Sequence, residues 1–228
     1  MPSMAFSDAD PRNPWFSWQY IRENMETLLA ALREHILLTV AAVAIAALIA
    51  IPLSVLAFQR AKIGGLILGI AGTMYTIPSL ALFAFLAPFT GLNPVTVLIG
   101  LVLYALLIIL RSGITGLRQV PPEIREVAAG MGYGRLGMLV KVELPLALPS
   151  ILTGLRIATV STVALMTVGE IVGVGGFGNL ILGGFRNNFY KPQIMTATLA
   201  CVGLAFVLDS LLVLAGRLAM PWTRRRRA

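Results

Sequence analysis

The chain is poor in charged residues, cysteine and histidine, and each shortage excludes a class of protein. Asp, Glu, Lys and Arg make up 12% of its 228 residues, whereas soluble proteins carry roughly 25%. The single cysteine, Cys201, excludes a disulfide framework. The single histidine, His35, leaves no Ser/His/Asp arrangement and no metal-ligand cluster to build. We interpret His35 as a residue at a membrane interface.

A nucleotide-binding sequence is also missing. No G-x-x-x-x-G-K-[ST] segment occurs, so the chain has no P-loop for ATP. The stretch Gly173-Val-Gly-Gly-Phe-Gly178 satisfies G-x-G-x-x-G, but it follows an apolar helical run rather than a strand. We interpret Gly175, Gly176 and Gly178 as part of a hinge or re-entrant turn. The chain is therefore predicted not to be an enzyme, with no catalytic residue, metal or cofactor of its own.

Long apolar runs take the place of the missing charges. Apolar residues make up 57% of the chain, and a helix that spans a bilayer needs about twenty of them in succession. Five runs qualify: Ile36–Phe58, Gly64–Ala87, Val95–Leu110, Leu146–Val172 and Ile194–Leu218. The third run is short, but residues 112–117 can extend it. These runs predict an all-α integral membrane protein with five transmembrane helices.

The basic residues indicate how these helices are oriented. Twelve Lys and Arg residues fall on one side of the predicted membrane and five on the other. The richer side is cytoplasmic by the positive-inside rule. The N-terminus is then outside, whereas the loop 118–145 and the C-terminus are cytoplasmic. The net charge of +8 could suggest nucleic acid, but the basic residues lie beside spans. We interpret Arg224–Arg227 as a topology anchor that touches anionic lipid.

The segment before the first run has a different character. Between Trp15 and Arg33, aromatic and aliphatic residues alternate with charged ones, a pattern typical of helices at a membrane surface. We expect an amphipathic helix on the outer leaflet here, because the charges argue against a sixth span. Three regions follow: a polar N-terminus with this helix (1–34), the transmembrane domain (35–218) and a basic tail (219–228).

Three charged residues fall inside the predicted spans. Arg156 lies about 15 Å from the cytoplasmic start of the fourth run, and Asp209 about 14 Å from the cytoplasmic end of the fifth, at 1.5 Å per residue. Because their depths match and their signs are opposite, we predict an ion pair between them with a structural role. We expect Glu170 to be solvated at the outer mouth.

Two prolines and a tyrosine suggest moving parts. Pro52 and Pro78 are predicted to kink or interrupt their helices. Glu170, Tyr75, Pro78 and the three glycines of the turn are candidate residues of a pathway or hinge.

The loop 118–145 contains a short helix too charged to span a bilayer. Pro121 and Pro122 favour a helix start, Glu123 and Glu126 suit its first turns, and the glycines at 130, 132 and 134 end it. This helix carries the small residues Val127, Ala128 and Ala129, which predict a surface that docks into another protein.

The spacing of this loop resembles the EAA loop of permease subunits of binding-protein-dependent ABC importers. That pattern reads E-A-A, three residues, G, nine residues, I-x-L-P. Here it reads Glu126-Val-Ala, then Gly132, then Val142-Glu-Leu144-Pro145. The resemblance implies a type I importer permease fold with a cytoplasmic coupling helix, in a bacterial cell membrane. It implies three partners: an ABC ATPase dimer that carries ATP and Mg, a second identical or homologous permease, and an extracytoplasmic substrate-binding protein.

Further stretches resemble the glycine betaine/carnitine/choline branch of these permeases. They are Thr76-Ile-Pro-Ser-Leu-Ala-Leu82, Tyr104-Ala-Leu-Leu-Ile-Ile-Leu-Arg111 and Gly175-Gly-Phe-Gly178. This branch implies uptake of quaternary ammonium osmoprotectants such as glycine betaine, choline or carnitine. A permease for another small solute, such as a methionine-like amino acid, is the alternative within the class. A membrane scaffold that recruits an ATPase without transport is the alternative outside it.

Overall fold

The computed structural model describes residues 13–221, and within them the chain is helical. The predicted anchor Arg224–Arg227 and the first twelve residues lie outside the described part. The helices are α1 (Trp18–Glu23), α2 (Met25–Gln59), α3 (Ala61–Thr76), α4 (Ser79–Thr90), α5 (Pro94–Arg118), α6 (Pro122–Gly130), α7 (Arg135–Met138), α8 (Leu144–Met166), α9 (Phe177–Arg186) and α10 (Lys191–Ala219).

Four helical stretches are long and apolar enough to cross a membrane: Met25–Gln59, Pro94–Arg118, Arg135–Val172 and Lys191–Ala219. A fifth crossing is reached when the bent pair α3 and α4 is taken as one span. The third predicted run lies in the second of these stretches, which reaches Arg118, so residues 112–117 do extend that run. The fold is therefore all-helical and membrane-spanning, with four or five crossings in the described residues.

Pro78 explains the break in the second predicted span. Helix α3 ends at Thr76 and α4 begins at Ser79, and Pro78 between them has φ −58° and ψ 136°. A proline has no N–H to donate and disfavours the helical conformation in the residue before it. Pro52, by contrast, lies inside α2 without ending it.

The segment 15–33 does not form one separate interfacial helix. The hydroxyl of Ser17 caps α1 by accepting a hydrogen bond from the Tyr20 N–H at 3.2 Å. Asn24 ends α1, since its Nδ2 donates to the Tyr20 carbonyl at 2.9 Å. Residues from Met25 onward already belong to the first long helix, so the predicted boundary at 34 falls inside a continuous helix.

The described residues divide into two compact units. The first includes the residues up to Ala42, Ile77–Leu101 and Val160–Val207; the second includes Val43–Thr76, Val102–Thr159 and the residues from Leu208 onward. The core of the second unit is rich in alanine, with Ala46, Ala50 and Ala158 fully buried. Small side chains allow helices to approach closely.

Close helix packing in the second unit depends on glycine as well. A Cβ atom at Gly113 would lie 2.6 Å from the Ser54 hydroxyl, and one at Gly116 would lie 2.8 Å from the Ala147 carbonyl oxygen. The Ser150 hydroxyl donates to the Ser112 carbonyl at 2.9 Å, which joins α8 to α5.

In the first unit, the N-terminal segment is tied to the loop before α10. Asn13 donates from Nδ2 to the Phe189 carbonyl at 3.1 Å and accepts at Oδ1 from the Lys191 N–H at 2.8 Å. Asn188 and Phe189 have φ values of 51° and 58°, a left-handed conformation that is uncommon outside glycine. Asn13 therefore holds a strained turn in place.

Candidate functional site

The central candidate is the short helix α6. Pro121 precedes it in an extended conformation, Pro122 begins it, and Glu123 lies in its first turn. After the helix, the Gly132 N–H donates to the Ala129 carbonyl at 3.0 Å. Gly132 has φ +86°, whereas a Cβ atom there would meet nothing within 4 Å. The position therefore favours glycine because of its backbone conformation, not because of space.

One face of α6 is apolar and exposed. Ile124, Val127 and Met131 have exposed fractions of 39%, 63% and 66%, and together with Glu123, Ala128 and Val142 they line a shallow depression. Glu126 and Ala129 are exposed as well. Sequence reasoning missed Ile124 and Met131, although their spacing from Val127 (three before, four after) places all three on one helix face.

Ala128 differs from the prediction. It is only 2% exposed, so its small side chain lets α6 lie against the rest of this chain rather than against a partner. Leu144 is also a packing residue, since it lies against the buried cluster of Leu117, Ala147 and Ile151. Pro145 lies in the first turn of α8 and lines a second, open depression with Lys141, Val142 and Leu146.

Arg125 fixes α6 to the neighbouring segments. Its Nη2 donates to the Leu117 carbonyl at 2.7 Å, and its guanidinium lies 5.1 Å from the centre of the Phe58 ring. Its Nε is 2.9 Å from Oε1 of Glu143, a charge contact that is not aligned as a hydrogen bond.

Glu143 is a further residue of this site that sequence reasoning missed. It is 7% exposed and belongs to the π-helical turn Leu139–Glu143 between α7 and α8. Single π turns within α-helices occur frequently at functional sites. The signal in the sequence was an acidic residue placed between Val142 and Leu144, at the start of an apolar run. The pair holds α6 at a fixed position beside the base of α8.

The two opposite charges in the fourth and fifth runs lie together. The Arg156 Nε donates to Asp209 Oδ1 at 2.7 Å, and its Nη2 donates to Oδ2 at 2.8 Å. Two parallel charge-assisted bonds form the strongest geometry available to this pair. Arg156 is on α8 and Asp209 on α10, so the pair joins these two helices within the second unit.

Glu170 is not solvated, contrary to the expectation. Its Oε1 lies 2.6 Å from the Arg186 Nη1, and its side chain is 11% exposed. In a second contact, the Arg186 Nη2 donates to Oε2 at 3.2 Å. The reason is α9, which the sequence did not predict: this helix carries Arg186 back over the 3₁₀ turn Thr167–Val172 that contains Glu170.

The glycine-rich stretch forms a tight turn between that 3₁₀ turn and α9. Gly173 and Gly176 have φ values of 80° and 52°. A Cβ atom at Gly175 would lie 2.7 Å from the Glu170 backbone nitrogen. Gly178 is buried as well, against the backbone of Thr167.

His35 lies beside this turn, inside the protein rather than at its surface. It is fully buried. Its Nε2 is 3.0 Å from the Val163 carbonyl oxygen, and its Nδ1 accepts from the Phe177 N–H at 3.3 Å. A Cβ atom at Gly176 would lie 2.9 Å from the His35 Nδ1. The ring therefore connects α2, α8 and the turn before α9.

Tyr75 and Pro78 lie at the break in the second span, Tyr75 in the last turn of α3 and Pro78 in the break itself. Tyr75 is 43% exposed, and its ring centre is 5.6 Å from that of Tyr104 with an interplanar angle of 71°. Tyr75 belongs to the second unit, whereas Pro78, Glu170 and the glycine turn belong to the first.

Comparison with known proteins gives a consistent family. A family model described as "binding-protein-dependent transport system inner membrane component" matches residues 42–225. The choline transport system permease protein OpuBB of Bacillus subtilis is 35% identical over 204 residues, which is 89% of this chain and 93% of that protein. The osmoprotectant import permease protein OsmW of Salmonella typhimurium is 35% identical, over 85% of this chain and 92% of that protein.

Two further similarities extend this result. The carnitine transport permease protein OpuCB of Listeria monocytogenes is 32% identical, over 77% of this chain and 80% of that protein. Among solved structures, a chain of the MetNI methionine ABC transporter in an inward-facing conformation superposes with a TM-score of 0.79, over 90% of this chain and 99% of that one. Its identity is 21%, so this likeness concerns the fold alone.

Proposed function

This chain belongs to the inner membrane components of binding-protein-dependent transport systems, and we propose that it forms the translocation pathway of an ATP-driven importer for osmoprotectants. The observation that carries this proposal is the likeness to choline, carnitine and osmoprotectant permeases along most of their length. ATP hydrolysis then belongs to a partner subunit with its own ATP and Mg.

The exposed face of α6 is the contact for that ATPase. Ile124 and Val127 on this helix, with Met131 directly after it, offer an apolar surface. Arg125 and Glu143 fix the helix to the base of α8, so a push on α6 moves a long helix rather than a loose loop. Alternating access follows if closure of an ATPase dimer displaces two such helices.

The remaining partners complete the transporter. A second permease, identical or homologous, forms the other half of the pathway, and a substrate-binding protein delivers the solute from outside. The loop 118–145 faces the cytoplasm in a bacterial cell membrane, with the N-terminus outside. The clustering of basic residues on the α6 side supports this orientation.

The substrate is a small quaternary ammonium solute such as glycine betaine, choline or carnitine. A methionine-like amino acid is supported only by the fold of MetNI, which is compatible with many solutes. A scaffold that only recruits an ATPase would not need membrane spans that resemble those of transporters. Here the family match covers residues 42–225, which include the spans, and this favours transport.

Uptake by cells tests this substrate class. Cells that lack their own osmoprotectant transporters and express this permease with its ATPase and binding protein should accumulate labelled choline, carnitine or glycine betaine in high-salt medium. An excess of unlabelled quaternary ammonium solute should abolish the signal, whereas methionine should not. Accumulation of methionine instead would overturn the osmoprotectant assignment and leave the importer assignment standing. No accumulation of any solute would favour the scaffold.

A further inference from the structure

Tyr75 is a half-exposed aromatic residue near the end of an apolar helix. It is the second-last residue of α3, and its side chain is 43% exposed. The Tyr104 ring is only 5% exposed and lies nearly perpendicular to the Tyr75 ring. Such edge-to-face pairs are favourable and fix the mutual orientation of the rings. Tyr75 therefore presents its ring to a space outside this chain, in a position that Tyr104 holds.

The depth of Tyr75 is unusual for an exposed tyrosine. It lies about 20 Å beyond Lys62, near the cytoplasmic end of α3, at 1.5 Å per residue. The hydrocarbon core is about 30 Å thick, and tyrosines favour its two interfaces rather than its interior. A phenol at this depth is suited to a polar space or a protein neighbour rather than to lipid tails.

Helix α3 also carries three glycines that packing within this chain does not explain. A Cβ atom at Gly65, Gly69 or Gly72 would meet nothing within 4 Å in this chain. Each glycine in a helix interior costs about 1 kcal/mol relative to alanine, so packing within the chain gives no reason for them. Another protein surface that approaches α3 does give a reason. In the proposed transporter that surface is the second permease, and the pathway lies beside it.

The helix also stops where Tyr75 lies. Next to it, Thr76 ends α3, and its hydroxyl donates to the Thr73 carbonyl at 2.7 Å. Non-helical backbone within a membrane is tolerated only where it is buried in protein or lines a water-filled cavity. The Tyr75 ring is exposed beside this break between α3 and α4.

Quaternary ammonium groups require a particular kind of contact. Their nitrogen carries no hydrogen to donate, and their positive charge is spread over methyl groups. The face of an aromatic ring attracts such a cation, as in the aromatic cages that bind choline. Among the charged residues, α3 carries Lys62 alone, so no carboxylate on this helix competes for that role.

We propose that the Tyr75 ring, positioned by Tyr104, is a transit site in the permease for the quaternary ammonium group of the solute. This inference rests on the proposed function, since it assigns a contact within the pathway to the same substrate class. The ring binds the cation weakly enough to release it toward the cytoplasm. Tyr104 is a positioning residue that does not touch the solute.

A graded series at position 75 tests the cation–π contact. Phenylalanine and its mono-, di- and trifluorinated forms have nearly the same size, but fluorine progressively weakens the negative ring face. In proteoliposomes with the partner ATPase and binding protein, choline uptake should remain near wild type in Tyr75→Phe. It should then fall stepwise with fluorination, to a total loss of about three- to thirtyfold. Thermal stability of the purified complex should stay constant along the series.

The Tyr104 variants separate positioning from contact. Tyr104→Leu should reduce choline uptake, and Tyr104→Phe should restore it, because only the ring is needed to hold Tyr75. Fluorinated phenylalanines at position 104 should have little effect on choline uptake, because this ring does not touch the solute.

Two results would overturn the inference. A flat fluorination series at position 75, in liposomes where the wild type imports choline, would remove the transit site and leave the proposed function intact. A wild-type complex that imports no quaternary ammonium solute would remove both.

Discussion

At the scale of the residue, charges inside the membrane are the features with the largest energetic consequence. An ionisable side chain near the centre of a spanning helix costs roughly 2.5–3.5 kcal/mol on insertion scales. Arg156 and Asp209 offset this cost for each other through two hydrogen bonds. Glu170 is paired in the same way with Arg186, so the carboxylates of Asp209 and Glu170 are both ion-paired.

Removal of one partner of the Arg156–Asp209 pair should cost more than removal of both. Arg156→Leu or Asp209→Leu leaves an uncompensated charge, whereas the double variant leaves none. We therefore expect the double variant to melt at a higher temperature than either single variant, in thermal unfolding of the purified complex. The swapped variant, Arg156→Asp with Asp209→Arg, is the matched control and should recover part of the loss. Simple addition of the two single effects would contradict a direct pair.

His35 should be intolerant of an apolar substitute. His35→Phe would leave the Phe177 N–H and the Val163 carbonyl without their buried partner, at a cost of about 1–3 kcal/mol per unsatisfied group. The same measurement on Leu37→Ala is the control, because Leu37 lies nearby on α2 but is 57% exposed. A His35→Phe complex as stable as the wild type would show that these contacts contribute little.

At the scale of the element, the sequence predicted those helices whose ends carry a local signal. Pro78 marked the break in the second span, and the diproline with the following glycines marked α6. The Arg156–Asp209 pair was also predictable, because two opposite charges at equal depth have few other partners. What the sequence lacked was any signal for long-range backbone contacts. His35 is held by groups 128 and 142 residues away, and no local pattern reports them.

Helix α9 was missed for a related reason. Its ten residues include three glycines, at 178, 183 and 184, and glycine weakens helix propensity. Close packing against α10 explains the helix instead, because a Cβ atom at Gly184 would lie 3.3 Å from the backbone nitrogen of Ile194. Once α9 was missed, Arg186 could not be placed beside Glu170.

The end of α6 offers a sharp pair of variants for the coupling role. Gly132 has φ +86°, whereas Gly130 shows no such conformation, and a Cβ atom at either position would meet nothing within 4 Å. Gly132→Ala should therefore strain the backbone by roughly 1–2 kcal/mol and lower ATP-driven uptake several-fold. Gly130→Ala should be neutral, since alanine is the better helix former.

The control for this pair is the amount of complex that reaches the membrane. If Gly132→Ala inserts normally and transports at the wild-type rate, the conformation of this turn is not needed for coupling. The uptake rate of Gly132→Asn should fall between those of Gly132→Ala and the wild type, because asparagine tolerates the left-handed region better than alanine.

At the scale of the whole molecule, the proposed function assigns this chain the membrane-spanning part of a larger transporter. Its exposed apolar face on α6 is positioned by Arg125 and Glu143. The membrane spans, this apolar face and the likeness to osmoprotectant permeases lead to one proposed account. In this account, energy from a separate ATPase enters through α6 and moves the solute through spans that this chain provides.

Accumulation of solute in sealed proteoliposomes tests this account most directly. The vesicles would contain the purified permease and its ATPase, with labelled glycine betaine, choline or carnitine and the binding protein on the outside and ATP inside. The account predicts that the internal concentration rises above the external one with ATP and not with a non-hydrolysable analogue. It also predicts that Val127→Glu, which places a charge on the α6 docking face, abolishes the rise without loss of membrane insertion. Equal internal and external concentrations with ATP present, or full accumulation by Val127→Glu, would contradict it.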